Sequence, residues 1–190
     1  SEDLEQRYAE LAPKGRVDLV VIGCPQASIG EVRATAAAVR CQMEFGRKIP
    51  EQRLWVFCSS TFHELASADG SLAVLEEAGA LVLKDTCPEV TPYNRNKYNH
   101  LLTNSLKAEH YLTSGLNRMP TSVARLEECV AHAFDPNLLK GRVELHSSQD
   151  RPQHRSNKSK REGKSSIVGQ GLASQESWVV RGKALCTDVP

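Results

Sequence analysis

No run of apolar residues in this 190-residue chain approaches the ~20 needed to cross a bilayer, which excludes a helical membrane span. The opening residues, Ser1-Glu2-Asp3-Leu4-Glu5, are acidic and lack the basic and apolar regions of a secretory signal, so the expected setting is cytoplasmic and reducing. Cysteine is scattered, at positions 24, 41, 58, 87, 129 and 186, without a Cys-x-x-Cys pair or the tight spacing of a secreted scaffold. Reduced thiols or metal ligands are favoured over disulfides. No His-Glu-x-x-His signature is present, which leaves His63, His100, His110 and His132 to surface or hydrogen-bonded roles. Neither Gly-x-Gly-x-x-Gly nor a Gly-x-x-x-x-Gly-Lys-Ser/Thr phosphate loop occurs, so nucleotide binding ranks last among the candidate functions.

What is present is the composition of a soluble globular protein, 40% hydrophobic and 25% charged, in a length that fills one ordinary domain and an appendage. Net charge is +1, unevenly placed: residues 1–146 hold 16 Lys and Arg against 19 Asp and Glu, whereas 147–190 hold 8 against 4. From Ser147 to Ser166 there is no aliphatic, aromatic or cysteine residue, hence nothing to bury against the entropy of ordering the chain. This stretch reads as a disordered basic linker. Its six basic residues could touch nucleic acid, but no aromatic side chain interleaves to stack on bases, and a solvated linker is preferred.

The first 146 residues alternate apolar runs with helical patterns, the sign of an α/β domain with a layered, mostly parallel sheet and flanking helices. Asp18–Ile22 reads as a buried strand. Ser28 and Glu31 then have capping-box spacing, and Ile29, Val32, Ala36, Val39 and Met43 mark one face of a helix. The unit recurs as a strand at Leu54–Phe57, a helical region over Thr61–Ala78 closed by Gly79, and a strand at Ala80–Leu83. Shorter versions follow: Leu101–Thr103 before a helix near Leu106–Tyr111, and Thr121–Val123 before a helix through Leu126–Ala133.

Parallel α/β sheets place their chemistry at the carboxyl ends of the strands, where the loops converge. Three segments meet that condition: Gly23-Cys24-Pro25, Asp85-Thr86-Cys87-Pro88, and Thr103-Asn104-Ser105-Leu106-Lys107. A thiol just before a helix N-terminus feels the helix dipole, so the pKa of Cys24 is expected to be lowered toward the thiolate that binds metal. Cys-Pro also ends one bacterial iron–sulfur ligand run. On spacing alone Cys24 and Cys87 are either metal ligands or buried thiols; Cys41, Cys58, Cys129 and Cys186 are packing residues; Lys107 binds a carboxylate or phosphate or is simply exposed.

The ordered set Asp18–Pro25, Ala27-Ser28, Asp85-Thr86-Cys87, Thr103-Asn104-Ser105-Leu106-Lys107 and Glu127-Glu128-Cys129-Val130 resembles the aconitase X family, over about residues 15–135. The resemblance implies an aconitase-like fold and an iron–sulfur cluster acting as a Lewis acid in dehydration, with cis-3-hydroxy-L-proline or mevalonate 5-phosphate as substrate type. It implies Cys24 and Cys87 as cluster ligands, and Asn104, Ser105 and Lys107 as a substrate-side segment. No catalytic base is identified, and cluster nuclearity stays open. A further cluster cysteine is expected from an N-terminal portion that is not here. Gln26 stands where the family typically has His, which removes a proton relay from that position.

Trp178–Ala184 faintly resembles the opening strand of the family's small swivelling domain. The expected organisation is a partial catalytic domain over 1–146, a linker over 147–166, and the start of the small domain over 167–190. The missing catalytic and small domains would then come in cis or as a partner subunit. The expected function is part of a hydro-lyase acting on a small hydroxy acid, inactive as this piece alone. The alternative is a cofactor-free α/β binding or assembly domain.

Overall fold

The computed structural model describes residues 2–138 and the backbone of two short strands, Val179–Val180 and Lys183–Ala184. Residues 2–138 form an α/β domain around one five-stranded parallel sheet. Its strands are β1 (Leu19–Ala27), β2 (Leu54–Cys58), β3 (Leu81–Lys84), β4 (Leu101–Thr103) and β5 (Thr121–Val123), in spatial order β3-β2-β1-β4-β5. The helices are α1 (Glu2–Leu11), α2 (Ile29–Glu44), α3 (Ser60–Ala68), α4 (Ser71–Glu77), α5 (Leu106–Ser114) and α6 (Leu126–Phe134).

Strand alternation explains the layers. Val20 and Ile22 of β1, Val56 of β2 and Leu102 of β4 point into one core, closed by Val32, Ala36 and Val39 of α2, Leu75 of α4, and Cys129, Val130 and Ala133 of α6. Leu19, Val21, Phe57 and Leu101 point to the other face, where Ala108 and Leu112 of α5 cover them with Tyr93, Tyr98 and Met119. Each fully buried Val, Leu or Phe contributes about 1.5–3 kcal/mol relative to exposure, so this two-faced burial is the main force holding the sheet. The central strand β1 is buried on both faces, which is why it reads as a continuous apolar run.

The expected elements are present, with three differences: β1 runs on to Ala27, so Cys24 lies within the strand and not after it, and two concern helices. The helical region expected over Thr61–Ala78 is two helices: Asp69 ends α3, and Gly70, at φ 82°, makes the left-handed turn that starts α4. The Asp69 carboxylate accepts the Ser71 N–H at 3.0 Å, bracing the turn between the two helices, and pairs with Arg33 of α2 at 2.7 Å. Helix α1 was not expected. It buries no residue, and among the described residues it is tied to α6 by Glu5 to Arg125 (2.5 Å) and by Arg125 over the Tyr8 ring.

Chain order then sets a reversal. From β1 the chain steps outward through α2 to β2 and on to β3; it next crosses back over β1 to β4 and moves outward the other way through α5 to β5. Helices α2 and α5 lie on opposite faces, so the loops leaving β1 and β4 part and open a crevice at the carboxyl edge between them. The linker over 147–166 lies outside the described residues. Of the segment 167–190, Val179–Val180 and Lys183–Ala184 form a two-stranded antiparallel pair in a second unit, residues 141–187.

Candidate functional site

The crevice is built from the end of β1. Gly23, at φ 98°, lets the strand bulge: an added Cβ would collide with the Phe57 carbonyl and stand 2.6 Å from the Ala27 nitrogen. The register with β2 shifts between Ile22 and Ala27. This bulge carries Cys24, half-buried and free, ahead of a cis peptide to Pro25. Beyond it, Ser28 caps α2: its hydroxyl accepts the Glu31 N–H (3.2 Å), while Glu31 Oε2 accepts the Ser28 N–H (3.1 Å), completing the expected capping box.

From β4 comes the second wall. Ser105 caps α5 by accepting the Ala108 N–H (3.2 Å), and its hydroxyl lies near enough to Cys24 to favour the thiolate slightly. The Asn104 side-chain amide donates to Glu31 Oε1 (3.2 Å), so Glu31 both closes the α2 cap and holds the β4 loop; Asn104 Oδ1 is buried without a partner. Lys107, exposed on the first turn of α5, stands close enough to favour the Cys24 thiolate.

The third wall is the segment after β3. Asp85, at φ 54°, accepts the Ser60 N–H (2.8 Å) and its hydroxyl, anchoring the strand end to α3. Gln26 donates to the Thr86 carbonyl at 3.5 Å, joining the β1 and β3 loops. Cys87 is half-buried and free, and its carbonyl accepts the Thr91 hydroxyl (2.9 Å). Tyr93 donates its hydroxyl to the Pro88 carbonyl (2.9 Å) and stacks on Trp55 with ring centroids 5.7 Å apart. Burial pushes the Tyr93 phenol well above its usual range, and the charges of Cys87, Glu89 and Cys24 add to that.

Cys24, Cys87, Asn104, Ser105 and Lys107 are thus carried to one edge of the sheet. The expected lowering of the Cys24 pKa is not found: the thiol is pushed up, first by burial, with Cys87 and Glu89 adding to it against Lys107 and Ser105. The reason is position. Cys24 sits inside β1, four residues before the Ser28 cap, and a helix dipole fades within the first turn. Glu31, Glu89 and Tyr93 belong to the same edge but had no functional signal in the sequence beyond the capping spacing of Glu31. Cys58 and Cys129 are buried packing residues, as expected; Cys41, buried on α2, is disulfide-bonded, against the expectation of a reduced packing thiol. His100 is hydrogen-bonded at both ring nitrogens, to the Arg16 carbonyl and to Ser122 Oγ, each at 2.9 Å.

As donors, Cys24 and Cys87 suit a thiophilic metal: both are free and partly accessible, and Cys24 feels the charge of Cys87. No group of three or more His, Cys, Asp or Glu residues able to hold a metal ion occurs among the described residues.

Fold and edge together define a doubly wound α/β domain with a thiol pair at its topological switch point. Residues 17–135 match the family model of the aconitase X third domain, and the chain belongs to the aconitase X family. It is 34% identical over 114 residues to the phosphomevalonate dehydratase large subunit of Methanocaldococcus jannaschii, covering 60% of this chain and 27% of that one. It is 35% identical over 140 residues to the cis-3-hydroxy-L-proline dehydratase of Pseudomonas aeruginosa, covering 70% and 23%. The crystal structure of Thermococcus kodakaraensis aconitase X in its holo-form superposes with a TM-score of 0.58 at 25% identity, over 68% of this chain and 32% of that one. The chain therefore spans about a quarter of the length of the curated relatives it matches. No helix among the described residues is long and apolar enough to cross a membrane.

Proposed function

We propose that this chain supplies one wall of the active site of an iron–sulfur-dependent hydro-lyase acting on a small hydroxy acid. The substrate would resemble mevalonate 5-phosphate or cis-3-hydroxy-L-proline, the compounds named by its relatives. The observation that carries the reading is the meeting of two free, half-buried thiols, Cys24 and Cys87, with Ser105 and Lys107 at the switch point.

Cys24 and Cys87 would hold the cluster, with a further ligand from outside the described residues; when bound, the cluster supplies a Lewis acid for departure of the substrate hydroxyl. The remaining groups have separate tasks. Ser105, the cap of α5, places its hydroxyl beside Cys24 and favours the thiolate there. The exposed Lys107 ammonium, near Cys24, can take a carboxylate or phosphate. With its nitrogen fixed on Glu31, Asn104 offers a buried carbonyl to a substrate hydroxyl or amine donor.

At about a quarter of its relatives' length, the chain is proposed to be inactive alone and to work with further catalytic and small domains, joined to it or as a partner subunit. The test is anaerobic reconstitution with iron and sulfide, read by optical and EPR spectra, on the parent, Cys24→Ser and Cys87→Ser, each with and without the remaining regions of a relative. The reading requires a cluster that disappears in both variants. Failure of the completed protein to take up iron would instead favour a cofactor-free binding or assembly domain, the reading consistent with only two thiol donors at the site.

A further inference from the structure

Glu89 is two residues beyond Cys87, and its carboxylate is unusually placed. Oε1 accepts the Leu116 N–H at 2.6 Å, just past the end of α5, and the Asn117 side-chain amide donates to the Glu89 carbonyl. Oε2 is buried without a partner, and the Glu89 charge is felt by both Cys24 and Tyr93. These bonds join segments 27 and 28 residues apart in sequence. They fasten the long β3–β4 connection, which carries Cys87, to the far end of the helix whose first residues carry Ser105 and Lys107.

Gly115 makes the approach possible. A Cβ there would run into the Glu89 carboxylate, with its Cδ at 3.0 Å, and into the Tyr111 carbonyl at 2.6 Å. Gly115 has φ −88°, so it is not a left-handed φ that calls for glycine here, and the space taken by Glu89 and the Tyr111 carbonyl does. A carboxylate with one oxygen spent on a backbone N–H and the other left buried and unpaired is costly to desolvate. Flanking side chains do not explain it, since Val90 and Leu116 are 60% and 80% exposed.

We infer that Glu89 is a positioning residue: by gripping the Leu116 N–H across Gly115, it sets Cys87 opposite Cys24. The inference deepens the proposed cluster site and rests on that reading for its purpose, but it can be measured without a cluster. The probe is phenylarsine oxide, which binds a close thiol pair by forming two As–S bonds and releasing its oxygen, with both thiol protons, as water. Of the free thiols among the described residues, Cys58 and Cys129 are fully buried, which leaves Cys24 and Cys87 to the probe.

The parent should bind the arsenical, and Cys24→Ser and Cys87→Ser should not. Glu89→Ala and Gly115→Ala, an independent route to the same displacement, should each weaken binding by about tenfold or more at unchanged far-UV circular dichroism. Glu89→Gln, whose amide oxygen can still accept the Leu116 N–H, should restore binding to within about threefold of the parent. Parent-like binding by Glu89→Ala, equal loss in Glu89→Gln and Glu89→Ala, or a parent that binds no arsenical would each overturn the inference. If the arsenical pattern holds while the completed protein takes up no iron and sulfide, the cluster reading falls and the latch stands.

Discussion

The two edges of the sheet are made of similar residue types and treat them in opposite ways. At the amino edge, Arg53 is 3% exposed and spends its guanidinium on backbone carbonyls, donating to Asp18 (3.1 Å), Ala133 (3.3 Å) and Val17. The Asp18 carboxylate accepts the N–H groups of Asn99 (3.0 Å) and His100 (3.2 Å) and pairs with Arg16. Polar groups there are used to join β1, β2, β4 and α6. At the carboxyl edge, Glu89 Oε2 and Asn104 Oδ1 are buried without partners beside two free thiols. Unsatisfied buried polar atoms lower stability, so an edge that retains them is arranged for something other than stability.

The contrast predicts where mutation should unfold the domain and where it should only disarm it. The largest effect belongs to the amino edge: Arg53→Ala strands buried carbonyls and should cost about 3–5 kcal/mol in urea unfolding. A cost below about 1 kcal/mol would show that this edge is not the structural one. Next is Gly23→Ala, where a left-handed φ costs roughly 1–3 kcal/mol and the collision with the Phe57 carbonyl adds to it. Unfolding and thiol accessibility should change together, because this glycine serves both the strand and the site.

Cys24→Ser and Cys87→Ser should fall at the other end of the scale, shifting stability by no more than about 1 kcal/mol while abolishing iron and sulfide uptake. A loss comparable to Arg53→Ala would make the thiols packing residues and erase the distinction between the edges. The smallest effect lies on the helical layer away from both. Hydrogen bonds from Ser71 and Arg33 hold the Asp69 pKa at about 2, below the usual 3.8. Because the folded value is the lower one, this contribution is present above pH 3.8 and disappears as pH falls toward 2. Asp69→Asn should therefore lower stability slightly near neutrality, where the contribution is present in full, and flatten the acid limb between pH 3.8 and 2. An unaltered acid limb in the variant would assign the acid loss to other carboxylates.

Much of the layered architecture was legible. Buried runs at 18–22 and 54–57 marked strands because a strand covered on both faces has no polar alternation to confuse with a helix. Ser28 and Glu31 announced a helix start because a capping box is a local hydrogen-bond pair. Helix α1 escaped because it buries nothing, so no apolar stripe records it. The break at Gly70 was hidden because the helical pattern continues on both sides and only the positive φ reveals the turn.

Within the site, the three strand-end segments were visible from sequence because each directly follows an apolar run. Their electrostatics were not: the position of Cys24 relative to α2 raised a pKa that proximity in sequence suggested would fall. Glu89 was invisible for a stronger reason, since its partners are Leu116 and Asn117 and no local pattern encodes a bond across 27 residues.

The sequence by itself determined the alternation of strands and helices, the cap of α2, the thiols at strand ends and the family, because each is written in local periodicity or ordered motifs. Only the tertiary structure decided the strand order β3-β2-β1-β4-β5, and with it the crevice between β1 and β4. That order depends on which faces α2 and α5 bury and on the return of the long connection after β3. Those long-range packing choices also brought Cys87, from a strand not adjacent to β1, to the same edge as Cys24.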